Sequence, residues 1–106
     1  MSTYLMLTTL TDEGRKTIKY NPEALNEMNK EIELMGIKIV AQYALLGQYD
    51  FVNIVEATND EDAARLAINL SAGGIMQTLT LAAMRVEDLI LRLKKQAQKT
   101  QERDLP

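Results

Sequence analysis

A tyrosine and an aspartate stand side by side in the segment Gly47-Gln48-Tyr49-Asp50, between two stretches rich in β-forming residues. A carboxylate beside a phenol at the end of a strand can polarise an oxygen-bearing ligand, or act as a general base in a buried site. The same two residues can instead complete a turn, in which Asp50 accepts backbone amides and Tyr49 keeps its hydroxyl at the surface. Tyr49 and Asp50 are therefore the sharpest ligand-binding candidates, with a purely structural role as the alternative.

Two further tyrosines, Tyr4 and Tyr43, lie in other β-rich stretches and complete the set of ligand-binding candidates. If their strands share a cavity, the two hydroxyls supply polar groups to its lining. The alternative is that each tyrosine is a core residue whose hydroxyl reaches solvent.

The chain contains no histidine and no cysteine. Disulfides, thiolate nucleophiles and cysteine-ligated metals are therefore excluded, and so are the commonest metal ligand and the usual base near neutral pH. The carboxylates follow no recognisable metal-binding spacing, so we predict neither a metal nor a cofactor. Any catalysis would rest on carboxylates, tyrosines, lysines or arginines, and no catalytic residue can be assigned from the sequence.

The charge is unevenly distributed along the 106 residues, of which 46% are hydrophobic. Residues 1–91 hold 7 basic and 13 acidic side chains, whereas residues 92–106 hold 5 basic and 2 acidic ones. An acidic body repels phosphate backbones, the apolar runs are too short to span a bilayer, and the N-terminus lacks the basic residues of a secretory signal. We expect a cytoplasmic protein that binds neither nucleic acid nor membrane.

Hydrophobic periodicity predicts four strands and three helices. The strands are predicted at residues 4–9, 37–46, 51–57 and 75–84. The first helix is predicted from about Pro22 to Met35 with Asn21 as its cap, and the second follows a capping box formed by Thr58 and Glu61. The third is predicted to begin near Val86 and to fray from about Gln96.

This order of elements, β-α-β-β-α-β, is that of ferredoxin-like α+β folds. Only four residues separate the second and third strands, so these must pair antiparallel, and right-handed crossovers place the first and third strands side by side. We predict an antiparallel sheet with two helices on one face and an additional C-terminal helix. Residues 1–95 are predicted to form a single domain, and residues 96–106 a polar C-terminal tail.

Neither face of the predicted sheet carries the charge density of a fully solvated face. In the second strand, Ile39 and Tyr43 are predicted to point to one face, and Lys38 and Gln42 to the other. Helices can cover only one face, and a large exposed apolar patch is unusual in a soluble monomer. We therefore expect a homodimer or higher homo-oligomer in which two sheets enclose a cavity for a small apolar ligand. The alternative is that the polar groups of this face only solvate a rim.

Several motifs resemble the GYD-domain family over about residues 3–85. They are Thr3-Tyr4, Thr11-Asp12-Glu13-Gly14, Ile18-Lys19, Pro22, Gly47-Gln48-Tyr49-Asp50-Phe51-Val52, Val55-Glu56-Ala57 and Gly74. The resemblance implies a dimeric α/β barrel, in which two sheets enclose a barrel-like space, sometimes with further assembly. It implies little chemistry, because the wider superfamily includes cofactor-free monooxygenases, lactone isomerases, haem peroxidases and amino-acid-sensing regulators. The absence of histidine departs from the haem members, and residues 74–80 are less charged than the family pattern.

Three functional hypotheses follow. The first is a cytoplasmic, homo-oligomeric GYD-type protein that binds a small apolar ligand between its sheets. The second is a cofactor-independent enzyme of the isomerase or monooxygenase type that uses Asp50 and Tyr49. The third is a structural or partner-docking module, in which the basic C-terminal tail contacts another protein.

Overall fold

The computed structural model describes residues 1–104, with side-chain burial described through residue 99. The elements are β1 Ser2–Leu10, α1 Asp12–Tyr20, α2 Ala24–Leu34, β2 Lys38–Ala44, β3 Phe51–Ala57, α3 Asp60–Ala72, β4 Met76–Ala83 and α4 Val86–Asp104. The strands form one sheet in the order β2-β3-β1-β4, and every neighbouring pair is antiparallel. This confirms the ferredoxin-like α+β fold, the pairing of β1 with β3 and the additional C-terminal helix.

The hydrophobic core lies between one face of the sheet and helices α2 and α3. Alternate residues of β1 and β3 point into it because successive side chains of a strand face opposite sides. Ile32 of α2 and Leu66 of α3 pack against this face of the sheet, at positions that the helical periodicity predicts. The core cluster comprises Tyr4, Met6, Ile32, Ile37, Val55, Ala57, Ala63 and Leu66. The sheet is therefore covered on one face only.

Helix α1 lies between the predicted first strand and the predicted first helix, where no helix was expected. The Thr11 hydroxyl accepts the Gly14 amide at 3.0 Å and caps the helix, while Asp12 and Glu13 lie in the first turn, where the helix dipole favours acids. The Thr11 hydroxyl also lies 2.6 Å from the Gly74 carbonyl oxygen, to which it donates. The helix was missed because Ile18 is its only large aliphatic residue, so no large aliphatic residues recur at helical spacing, and its polarity pattern is carried by charged side chains.

The two helices that were predicted with named capping residues are present, but neither is capped by the predicted residue. The α2 helix begins at Ala24 without a side-chain cap, and Asn21 instead ends α1, with its amide donating to the Thr17 carbonyl. The α3 helix is capped by Asn59, whose side chain accepts the Asp62 amide at 2.9 Å, and not by Thr58. Adjacent capping residues compete for the same free amides, and only the path of the preceding strand decides which one reaches them.

The alternation predicted for β2 is also wrong, because the strand contains a bulge. Ile39 pairs with Val55 and Ala41 pairs with Ile54, so Val40 is an extra residue in β2. A bulge shifts the side-chain alternation by one residue. As a result Ile39 and Gln42 lie on the helix-covered face, while Tyr43 lies on the opposite face. The prediction had placed Ile39 and Tyr43 on the same face and Gln42 on the other.

Helix α4 extends away from the domain, which gives the molecule its extents of 70 × 30 × 19 Å. It continues to Asp104 and does not fray near Gln96, and residues 105–106 of the predicted tail lie outside the described residues. All side chains from Val86 to Lys99 are exposed. Within the described part of the chain, no helix is both long and apolar enough to cross a membrane.

Candidate functional site

The face of the sheet that carries no helix is the most distinctive surface of the molecule, and we call it the open sheet face. Residues directly opposite each other in antiparallel strands point to the same side, so the strand register defines this face. It comprises Thr3, Leu5, Leu7, Thr9, Lys38, Ala41, Tyr43, Val52, Ile54, Glu56, Gln77, Leu79, Leu81 and Ala83.

Two rows of apolar side chains cross all four strands at the centre of the open sheet face. One row is Ala41, Ile54, Leu5 and Leu81, and the other is Tyr43, Val52, Leu7 and Leu79. Three of the four residues at the edges of the sheet are exposed, Tyr43 at 61% and Leu79 and Leu81 at 44% each, whereas Ala41 is half-buried. Polar residues flank the rows on either side. An apolar centre within a polar rim is the usual anatomy of a protein interface.

The predicted candidates Tyr49 and Asp50 lie in the connection between β2 and β3, where Asp50 forms hydrogen bonds to β1 and to the residue that follows β2. Its carboxylate accepts the Leu10 amide at 2.7 Å, and its own amide donates to the Thr8 carbonyl at 2.8 Å. The Leu45 amide donates to the Asp50 carbonyl, also at 2.8 Å. Both Tyr49 and Asp50 are half-buried. The Asp50 carboxylate thus holds the end of β1 against the hairpin, which is the structural alternative stated for it.

The candidates Tyr4 and Tyr43 lie on opposite faces of the sheet. Tyr4 is buried under α3, and its hydroxyl donates to the carboxylate of Asp60 in the first turn of that helix. Tyr43 is exposed on the open sheet face. The two tyrosines therefore do not line one cavity of the chain. Of the four predicted residues, only Tyr49 and Asp50 are brought together, and only Tyr43 lies on the open sheet face.

Removing the Asp50 carboxylate should destabilise the domain. In Asp50→Ala the Leu10 amide loses its acceptor in a partly buried setting, and we expect the free energy of unfolding to fall by about 1–3 kcal/mol. Asp50→Asn retains an acceptor oxygen and should lose less. Urea denaturation followed by circular dichroism measures both variants. An Asp50→Ala protein as stable as the parent would contradict the structural role.

The bond between Tyr4 and Asp60 should make stability depend on alkaline pH. That hydrogen bond, together with burial, raises the pKa of Tyr4 above its ordinary value of 10.0. The folded protein therefore retains a proton that the unfolded chain has lost, so the contribution is complete below about pH 10 and disappears as the pH rises through the folded-state pKa. Denaturation midpoints measured from pH 8 to 11 should fall more steeply in the parent than in Tyr4→Phe. Parallel curves would show that Tyr4 does not titrate with folding.

A small polar cluster beneath α2 is a feature that sequence reasoning missed. The Gln42 side-chain amide donates to the side-chain oxygen Oδ1 of Asn53 at 2.7 Å and forms a reciprocal pair with the Asn29 side chain, both bonds being 3.0 Å. Thr8 and Asn53 are buried polar residues, and both line a small cavity of about 20 Å³. Such a volume holds about one water. This cavity is too small for the predicted apolar ligand, and no pattern in the sequence reveals that Asn29 and Gln42 meet.

The fold and the open sheet face define the class of protein: a ferredoxin-like α+β domain with one sheet face that no described helix covers. The family model described as GYD domain matches residues 4–91, and the chain belongs to that family, as the sequence resemblance indicated. A relative from Thermus thermophilus, named "Glutamine synthetase and cystathionine beta-lyase binding protein", is 50% identical over 95 residues. The match covers 89% of this chain and 100% of the relative.

Two solved structures are similar in fold. The crystal structure of TTHA0845 from Thermus thermophilus has a TM-score of 0.57 and 25% sequence identity, over 80% of this chain and 95% of that chain. The crystal structure of MtbAldR has a TM-score of 0.59 and 20% identity, over 79% of this chain and 52% of that chain. The second likeness concerns the fold alone.

Proposed function

We propose that this chain is a cytoplasmic protein-binding module that works as a homo-oligomer, with two copies meeting through the open sheet face. The observation that carries the proposal is the pair of apolar rows that cross all four strands and are left uncovered by every described helix. Leaving such a patch in water costs about 25 cal/mol for each Å² of apolar surface. A second molecule is therefore needed to cover it.

The polar rim supports a second copy as the molecule that covers the rows. Lys38 and Glu56 lie opposite each other along one side of the rows, and Thr9 and Gln77 lie along the other side. A twofold axis that lies midway between two such faces and parallel to them lets each copy present the same patch to the other, with the two sheets about 10 Å apart. This arrangement yields the barrel-like dimer implied by the family resemblance.

The name of the 50% identical relative supports a further protein as the functional partner. We propose that the homo-oligomer binds metabolic enzymes of the kinds in that name, glutamine synthetase and cystathionine beta-lyase. The test is biolayer interferometry with the two purified enzymes from the same organism, against the immobilised full-length protein. We expect a dissociation constant of about 10 μM or tighter for at least one enzyme. Absence of binding to either enzyme at ten times that concentration would exclude these partners.

A small apolar ligand between the paired sheets is a second proposal, favoured by the mixed character of the open sheet face. Tyr43, Thr9 and Gln77 place polar groups beside the apolar rows, as in ligand pockets that are mainly apolar with a few polar contacts. Native mass spectrometry of the purified oligomer should then show a bound mass that is absent after denaturation. The catalytic alternative has less support, because the Asp50 carboxylate already accepts the Leu10 amide.

A further inference from the structure

Helix α4 carries an apolar stripe that no other part of the described chain buries. The stripe consists of Val86, Ile90, Leu93 and Ala97, with Leu89 at its edge, and each of these residues is exposed. Their spacing of four, three and four residues places them on one side of a helix. We infer that α4 pairs in antiparallel orientation with α4 of a second copy of this chain.

The distribution of charge along α4 selects the antiparallel orientation. Over residues 86–95, the first turn carries the acids Glu87 and Asp88, and the following turns carry the basic residues Arg92, Lys94 and Lys95. The acids Glu102 and Asp104 lie in the last turns of α4, beyond this segment. Two parallel copies would place acid beside acid and base beside base along the whole length. Two antiparallel copies that overlap over residues 86–95 place the acidic first turn of each helix beside the basic residues of that segment in the other, and also oppose the two helix dipoles.

The edge of the stripe also fits this orientation. Glu87 and Lys94 are seven residues apart, so they lie nearly above each other on the same edge of the apolar stripe. In an antiparallel pair of helices, the same edges of the two stripes face each other. Glu87 of each copy then meets Lys94 of the other, which produces two symmetric ion pairs, while Ile90 and Leu93 of the two copies interdigitate near the centre.

The contact that Glu87 makes within its own chain does not prevent this pairing. Its carboxylate lies 2.8 Å from the Arg85 guanidinium, and the two side chains are 75% and 76% exposed. Ion pairs this exposed contribute little to stability. The Glu87 carboxylate can therefore also contact Lys94 of the second copy.

The inference rests on the proposed self-association but concerns a different surface from the open sheet face. If one twofold axis serves both surfaces, the result is a dimer held by two contacts. If the axes differ, the two contacts build a larger assembly, which is a tetramer when the axes intersect at a right angle. The stoichiometry from sedimentation therefore does not by itself locate the α4 helices, and a distance between them is needed.

The test uses a distance measured between two α4 helices. Because the chain has no cysteine, Gln98→Cys in the full-length protein gives one spin label per copy. With the axis of the pair near residues 90–91, the two labelled positions are separated along the helices by about 21–24 Å, from a rise of 1.5 Å per residue. Double electron–electron resonance should show a narrow distribution centred between about 20 and 35 Å once the two label arms are included.

Charge exchange supplies the matched controls. Glu87→Lys and Lys94→Glu should each reduce the narrow component by at least half, because each places like charges opposite each other. The double variant should restore the narrow component, and circular dichroism checks that α4 remains helical throughout. If sedimentation shows an oligomer and double electron–electron resonance shows no narrow distance, the α4 pairing is overturned but the proposed self-association is not. The α4 pairing would also be overturned by a short distance typical of parallel helices, by folding of α4 onto the sheet of its own chain, or by a double variant in which the narrow component does not return. A monomer in sedimentation would overturn both the α4 pairing and the proposed self-association.

Discussion

Leu79→Lys should convert the homo-oligomer into smaller species by weakening self-association about 100-fold or more. Leu79 lies at the end of an apolar row of the open sheet face, opposite Leu7, and is already 44% exposed in the single chain. The lysine therefore remains solvated in the separate chain but becomes a buried, unpaired charge when two sheets meet. Such a charge costs several kcal/mol, and each 1.4 kcal/mol is a factor of about ten in affinity.

Analytical ultracentrifugation across a range of protein concentrations measures this effect. The matched control is Leu34→Lys, which makes the same chemical change at an 87% exposed residue of α2, on the opposite side of the domain. We expect the control to associate as the parent does, and both variants to retain the parent's circular dichroism. Equal association of Leu79→Lys and the parent would remove the open sheet face as the site of assembly.

Gly14→Ala should cost about 3 kcal/mol or more of folding free energy, at or beyond the upper end for overpacking a close contact. A Cβ on Gly14 would lie 1.9 Å from the Ile75 carbonyl oxygen and 2.9 Å from its carbonyl carbon. This carbonyl also accepts the Thr11 amide at 2.9 Å, so it cannot move without breaking the contact between α1 and the start of β4. The backbone must shift or the contact must open.

Gly73→Ala is the matched control for this substitution. Gly73 has a φ of −74°, and a Cβ there meets no atom within 4 Å. Alanine in an unstrained position of this kind is neutral or stabilising by up to about 1 kcal/mol. Chemical denaturation of the two variants should therefore give changes of clearly different size. Similar stability of Gly14→Ala and Gly73→Ala would contradict the close approach of α1 to Ile75.

The arrangement of strands could be predicted from local patterns alone. The predicted four-residue connection before Phe51, which is six residues long in the structure, required an antiparallel hairpin, and the handedness of the crossovers then placed β3 beside β1. The alternation of Val52 and Ile54 with Asn53 and Val55 likewise assigns these residues to the two faces of β3 on which the structure has them. Each of these features depends on residues close together in the chain, which is why the sequence reveals them.

Features that depend on distant residues were not predicted. Asp50 was a catalytic candidate by its residue type, yet its oxygen accepts an amide 40 positions earlier in the chain. Tyr4 and Tyr43 were candidates for one cavity if their strands shared it, and the bulge at Val40 together with the burial of Tyr4 places them on opposite faces. A single inserted residue changes which side of the sheet the rest of β2 faces, and its position depends on the partner strand.

The sequence by itself determined the β-α-β-β-α-β order, the ferredoxin-like class and the expectation that one sheet face needs a covering partner, because hydrophobic period and connection length are local properties. Only the tertiary structure decided which residues form that face. It set the strand register, which aligns Leu5, Leu7, Val52 and Ile54 into two continuous rows across the sheet. It also showed Gln42 paired with Asn53 and Asn29 beneath α2. Register and side-chain pairing result from packing between segments far apart in the chain, and that packing has no local signature.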